Sequence, residues 1–279
     1  MKNLNNFLFN LTLVLFLLGL TTEIFAQKAE MLEDYSWRAI GPANMGGRVT
    51  DIDGIPGDPS TFYVSGADGG IHKTEDGGVT FKPIFENQRA YSIGALTIAP
   101  SDKNVLWVGT GEGDPRNSVG YGWGVYRSID GGDSWKHLGL KNTERIKRIV
   151  VDPNNPDIAC VCALGKEWGS NKERGVFKTT DGGKSWDKIL YIDEDTGCSD
   201  IAMENENPRV MYAGMWTFRR RPWRFDDGGK NTAIYKTSDG GATWKKIMNG
   251  LTIPPVRKSK ILNCKMSIVK NNRADKSDS

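Results

Sequence analysis

An eight-residue pattern constrains this chain more than any other feature: Ser/Thr-x-Asp-Gly-Gly-x-Ser/Thr followed by an aromatic residue, present four times. It runs from Thr74 to Phe81, Ser128 to Trp135, Thr179 to Trp186 and Thr237 to Trp244. Its acidic residues Asp76, Asp130, Asp181 and Asp239 are 54, 51 and 58 residues apart. Each copy follows a short alternating segment (Gly70-Ile-His-Lys, Gly124-Val-Tyr-Arg, Gly175-Val-Phe-Lys, Ala233-Ile-Tyr-Lys). Before that come a β-rich run such as Val105-Leu-Trp-Val, a turn such as Asp152-Pro-Asn-Asn-Pro, and an earlier strand such as Ile146-Lys-Arg-Ile-Val-Val. Each unit therefore predicts four antiparallel strands, A to D, with the Asp-Gly-Gly turn joining C to D. A period near fifty in a chain with 33 Gly predicts an all-β fold, a β-propeller of four-stranded antiparallel blades. Four blades are expected, over about 48–88, 89–141, 142–193 and 194–251.

The pattern has a structural logic. The Asp carboxylate can accept backbone N–H groups of its own turn. The two Gly supply left-handed conformations, and the closing aromatic offers an apolar face between blades. Asp76, Asp130, Asp181 and Asp239 are thus read as structural, not catalytic.

The ends differ from the repeats. Lys2 and the apolar run from Phe7 to Leu20 read as a signal peptide over 1–26, with an uncleaved anchor as the alternative. A secreted or periplasmic location follows, with no stable membrane span after cleavage. Trp37-Arg-Ala-Ile matches the start of a D strand (compare Trp135-Lys-His-Leu), so 37–40 is expected to close the last blade. Residues 252–279 are basic and polar, without a further copy of the pattern. The propeller is therefore expected to be incomplete. Of the four Cys, Cys160 and Cys162 lie two apart on a predicted strand, and all four are expected to be small buried residues. Two His give too few ligands for a metal site, and no cofactor is expected. A formal charge of +3 is too balanced to argue for nucleic acid.

These repeats resemble the Asp-box or BNR repeats of sialidases, of glycoside hydrolase family 74 xyloglucanases, of sortilin-type receptors and of the photosystem II assembly propeller. Over residues 35 to 251 the chain resembles exported bacterial proteins with a sortilin-like N-terminal propeller, often labelled glycosyl hydrolases. Trp37-Arg-Ala-Ile-Gly-Pro-Ala-Asn-Met-Gly-Gly-Arg-Val-Thr is similar to their opening. The resemblance implies a fold shared by enzymes and binders.

Strand direction puts the boxes and the A–B turns on one face, and the B–C loops and D-to-A connections on the other. Three B–C loops are long: 109–122, 164–174 and 215–232. Loops on one rim of a rigid scaffold are where binding or catalysis is expected. Candidate binding residues are Arg116, Trp168, Trp216, Arg219, Arg220, Arg221, Trp223 and Arg224, with Trp123 and Phe225 as further aromatics. Arginines suit carboxylates and aromatics suit sugar rings or apolar groups. The expected partner is an extracellular or periplasmic protein, peptide or polysaccharide. The alternative is a glycoside hydrolase, xyloglucanase- or sialidase-like, or a catalytically incomplete fragment of one. That reading needs two carboxylates, and Glu112, Asp114, Glu167 and Asp68 are the candidates, with Asp51 and Asp53 near the channel. The family 74 resemblance would place an Asp before a Gly-Gly pair, but Asp68 abuts Gly69-Gly70 one residue out of that register. The sialidase resemblance would give Arg48 to a substrate carboxylate.

Overall fold

The computed structural model describes residues 48–116 and 118–248. The signal peptide, the 37–40 strand and the 252–279 tail lie outside the described residues.

Four antiparallel sheets follow one another along the chain, each numbered from its inner strand. The first is β1 (Val49–Gly54), β2 (Phe62–Gly66), β3 (Gly70–Thr74) and β4 (Lys82–Pro83), paired in that order. The second is β5 (Ile93–Ala99), β6 (Asp102–Thr110), β7 (Val125–Ser128) and β8 (Lys136–His137). The third is β9 (Ile146–Val151), β10 (Ala159–Ala163), β11 (Gly175–Thr179) and β12 (Asp187–Leu190). The fourth pairs β13 (Thr196–Met203), β14 (Met211–Arg221), β16 (Ala233–Thr237) and β17 (Lys245–Ile247), while β15 (Arg224–Asp227) pairs with the far half of β14. Inner strands pack in series, β1 on β5, β5 on β9 and β9 on β13. The result is an incomplete β-propeller.

The boxes show why hydroxyls flank each Asp. Asp76 Oδ1 accepts from Thr74 Oγ1 at 2.8 Å and Thr80 N at 2.9 Å, and its Oδ2 accepts from Thr80 Oγ1 at 2.6 Å. Asp130, Asp181 and Asp239 repeat this set. Most of the carboxylate's bonds come from hydroxyls, more than the turn N–H groups alone would give. Gly77 and Gly78 sit at φ 74° and 93°, where a side chain would strain the turn. The first box Gly also donates to the A–B turn of its own blade or to the start of strand B: Gly77 N to Ser60 O, Gly131 N to Asn104 O, Gly182 N to Asp157 O and Gly240 N to Arg209 O, at 2.9 to 3.0 Å. Boxes and A–B turns therefore share a face, as strand direction requires.

The box tryptophans of the second and third blades fasten each of these blades to the one before. Trp135 Nε1 donates to Ile84 O at 2.8 Å, and Trp186 Nε1 to Leu138 O at 2.7 Å. Three apolar cores fill the seams. Tyr63, Phe85, Leu106 and Tyr126 fill the first, and Trp107, Ile149, Val161 and Phe177 the second. Cys160, Val176, Ile201 and Met215 belong to the third.

Two expectations need correction. Cys162 and Cys198 form a disulfide from β10 to β13, so two of the cysteines expected to be simple buried residues are a cross-link between blades. Their strands sit side by side only once the third and fourth blades pack. The 215–232 loop is instead a hairpin, with Phe218 to Arg221 paired to Asp227 to Arg224, because β14 continues its alternation past the blade edge. Asp51 and Asp53 serve the inner edge: Asp51 Oδ2 accepts from Leu96 N at 3.2 Å and Asp53 Oδ2 from Ile98 N at 2.8 Å. An inner strand exposes N–H groups that no further strand pairs, and these carboxylates satisfy them.

Candidate functional site

The rim opposite the boxes is built from one recurring position, the residue just ahead of each inner strand. These are Arg48, Ser92, Arg145 and Asp195. Each carbonyl accepts the N–H of a residue at the far end of strand B or just past it: Ala67 N to Arg48 O, Gly111 N to Ser92 O, Leu164 N to Arg145 O and, within the extended β14, Phe218 N to Asp195 O, at 2.7 to 3.1 Å. Their side chains are thereby delivered to the foot of the B–C loops.

Arg48 donates to Glu112 Oε1 through Nε at 2.8 Å and Nη2 at 2.5 Å, with Arg116 Nε at 3.8 Å. Glu112 is buried, and its Oε2 has no hydrogen-bond partner among the described residues. Its backbone N–H donates to Ser92 Oγ at 2.9 Å. Asp114 is exposed and paired with Lys147 at 2.6 Å. Asp68 is exposed on the short blade 1 loop.

Arg145 binds Glu167 through Nη1, and both side chains are fully buried. Burial pushes the Glu167 carboxyl above its usual range against the pull of Arg145, and it lowers the Arg145 guanidinium against the pull of Glu167. Arg174 is also buried, and burial with the neighbouring Arg145 charge brings it down to about 10. It donates to Lys166 O at 2.8 Å, Gly169 O at 3.1 Å and Asp195 O at 3.3 Å, which fixes the 164–174 loop. The guanidinium carbons of Arg174 and Arg145 lie 4.2 and 5.3 Å from the ring centre of Phe218. A blade 4 aromatic thus packs against two blade 3 cations.

The hairpin stands beside this cluster. Trp216 stacks on Phe218 at 4.7 Å and donates Nε1 to Asp227 Oδ1 at 2.7 Å. Arg219 donates to Asp195 Oδ1 at 3.0 Å and Ser170 Oγ at 2.7 Å. Arg220 lies over Trp168 at 5.9 Å and Phe225 at 5.5 Å. Arg221 and Arg224 pair with Asp226. Trp168 and Trp223 remain 45% and 79% exposed, whereas Trp123 is partly buried beneath Arg89 at 3.8 Å.

Between the hairpin and the blade 3 loop lies a cavity of about 480 Å³, lined by Ser170, Asp193, Asp195, Thr217, Lys230 and Asn231, among others. Asn231 Nδ2 donates to Asp193 Oδ2 at 2.6 Å. Burial would raise Asp193, but hydrogen bonds from Thr196 and Asn231 hold it below the usual carboxylate range. At the hairpin beside this cavity the structure brings Trp168 and Phe225 to Arg220, Trp216 to Phe225, and Arg219 to the lining residue Ser170. It leaves Glu112, Arg116 and Asp114 at the second blade's loop. Sequence reasoning missed Arg145, Arg174, Asp193 and Asp195. The signal that could have found three of them is position: Arg145, Asp193 and Asp195 lie in D-to-A connections, which share the rim with the B–C loops. Among the described residues, no helix is long and apolar enough to cross a membrane.

Residues 124–278 match the Sortilin-Vps10 family model (sortilin, neurotensin receptor 3). A xyloglucanase from a Paenibacillus species is 24% identical over 242 residues, covering 77% of this chain and 22% of its own. Xyloglucanase Xgh74A of Acetivibrio thermocellus is 26% identical over 249 residues, covering 76% and 27%. The chain thus spans about a quarter of the length of these curated relatives. Among solved structures, an ancestral GH74 enzyme superposes with a TM-score of 0.55 at 22% identity, covering 74% of this chain and 26% of that one. The GH74 enzyme of Niastella koreensis gives 0.52 at 19% identity, covering 71% and 30%. At these identities the structures speak for the propeller fold. The match to the family model takes in more than half of the sequence, and the chain belongs to the Sortilin-Vps10 family.

Proposed function

We propose that this chain is an exported propeller module that binds polysaccharide at the rim where the 164–174 loop meets the β14–β15 hairpin. The observation that carries the reading is the cavity of about 480 Å³. Its walls offer carboxylates, two hydroxyls, an amide and an ammonium, which suit a ligand of many hydroxyls. Exposed Trp168 and Trp223 offer faces for sugar rings. The xyloglucanase relatives add a polysaccharide to the ligand classes worth testing first.

The test is affinity electrophoresis of the full chain in gels containing xyloglucan, mixed-linkage β-glucan or cellulose derivatives. Retardation by at least one, reduced at least tenfold in apparent affinity by Trp168→Ala, is the expected result. Normal migration in every gel, with retention on an immobilised peptide library, would move the function to peptide binding.

The second reading is a glycoside hydrolase fragment. It is favoured by one observation besides the relatives, the partnerless Oε2 of buried Glu112. Release of reducing ends from xyloglucan, abolished by Glu112→Gln, is its signature.

A further inference from the structure

We propose that the Cys162–Cys198 disulfide is the joint that holds the two walls of the rim cavity together, so that the binding site is assembled in oxidised protein and dismantled on reduction. The ligand in this statement rests on the polysaccharide reading above, whereas the joint rests on packing alone.

The cavity straddles the seam between the third and fourth blades. Ser170 comes from the blade 3 loop, while Thr217, Lys230 and Asn231 come from blade 4. The disulfide joins the strands that carry both walls, β10 ahead of the 164–174 loop and β13 just after Asp195. Cys162 is two residues before Leu164, and Cys198 directly follows Gly197. A Cβ on Gly197 would stand 2.2 Å from Leu164 O, so the backbones of the two blades nearly touch at this point. Noncovalent contacts also join the cavity walls: Arg219 to Ser170, Ser170 to Asp195 and Asn231 to Asp193, with Arg174 bonding Asp195 O and packing on Phe218.

This seam lacks what secures the other two. Trp135 and Trp186 each donate an indole N–H to a carbonyl of the preceding blade. Trp244, the corresponding residue of blade 4, packs at the seam, but its buried Nε1 has no partner among the described residues. The covalent link occurs at the seam where the indole bond is missing. It is also the only disulfide among the described residues.

The link is protected from internal exchange. Cys160 lies two residues from Cys162 on β10, with its Sγ 3.6 Å from Met211 Sδ. Burial pushes this thiol up to about 12, so it does not supply a thiolate near neutral pH. Opening the joint takes an external dithiol. The S–S bond accepts two electrons and two protons and becomes two thiols, and the dithiol is oxidised to its own disulfide.

The test is hydrogen exchange by mass spectrometry on the full chain, oxidised or reduced with dithiothreitol and alkylated, with polysaccharide gels run in parallel. On reduction, amides of β13 and β14 should exchange at least tenfold faster while β5, β6 and β9 keep their protection, and gel retardation should disappear. Cys162→Ser/Cys198→Ser should behave like reduced protein; if that variant does not fold, the reduced wild type still decides. Equal protection of β13 and β14 in both forms overturns the joint. Loss of protection across all blades also overturns it, since the link would then be a global staple. Selective loss in β13 and β14 without retardation of the oxidised chain supports the joint and rejects the polysaccharide reading.

Discussion

Arg145 and Glu167 are both withdrawn from solvent, and their ion pair ties the residue ahead of β9 to the loop that leaves β10. Removing one partner of such a pair strands the other charge in a medium that solvates it poorly. Arg145→Ala should therefore destabilise the fold by about 3–5 kcal/mol. Arg145→Met with Glu167→Leu should recover most of that loss. Urea titration followed by tryptophan fluorescence checks both, and equal losses in the single and double variants would show that packing, not charge, dominates here.

The box indoles offer a matched comparison. Trp186→Phe removes an indole donor from Leu138 O, whereas Trp244→Phe removes an N–H that bonds nothing among the described residues. The first should cost about 1 kcal/mol more than the second, the net worth of a buried hydrogen bond. Thermal melts of the two variants measure the difference.

Acid should loosen all four boxes together. Hydroxyl and backbone donors from Thr80 and Thr74 hold Asp76 down to about 2, and those from Ser128 and Ser134 do the same for Asp130, against an ordinary 3.8. Asp181 and Asp239 are lowered by the equivalent donors. A carboxylate depressed in the folded state contributes stability that is present above its unfolded value and lost as pH falls through its folded value. Stability should thus decline from about pH 4 towards pH 2. Asp130→Asn should flatten that decline, which a series of urea titrations across the window would reveal.

At the inner edge, Asp53→Ala leaves Ile98 N without its acceptor. The expected loss is about 1–3 kcal/mol, the cost of an unsatisfied buried donor. Hydrogen exchange should show it locally, as faster exchange at Ile98 than at Val108 in the adjoining strand.

The boxes were legible in the sequence as structural turns because most of their bonds are local, although the flanking hydroxyls as donors were not foreseen. Thr74, Asp76 and Thr80 meet within one turn, so a window of eight residues contains every bond to the carboxylate. Strand order and the division into two faces followed from direction alone, and Gly77 N on Ser60 O bears this out. The rim was legible only as a region. The sequence named Glu112 and Glu167 as available acids. Which arginine each would meet depended on neighbours 64 and 22 residues away.

The sequence by itself determined the repeating unit, the all-β class and the position of its structural carboxylates, because turns and alternation act between near neighbours. Only the tertiary structure decided that Cys162 meets Cys198, that Phe218 of the hairpin packs against two buried arginines, and that Asp51 and Asp53 face an inner edge. These relationships arise where one blade packs on the next. The packing geometry is set by the summed burial of apolar seams, to which no single stretch of sequence holds the key.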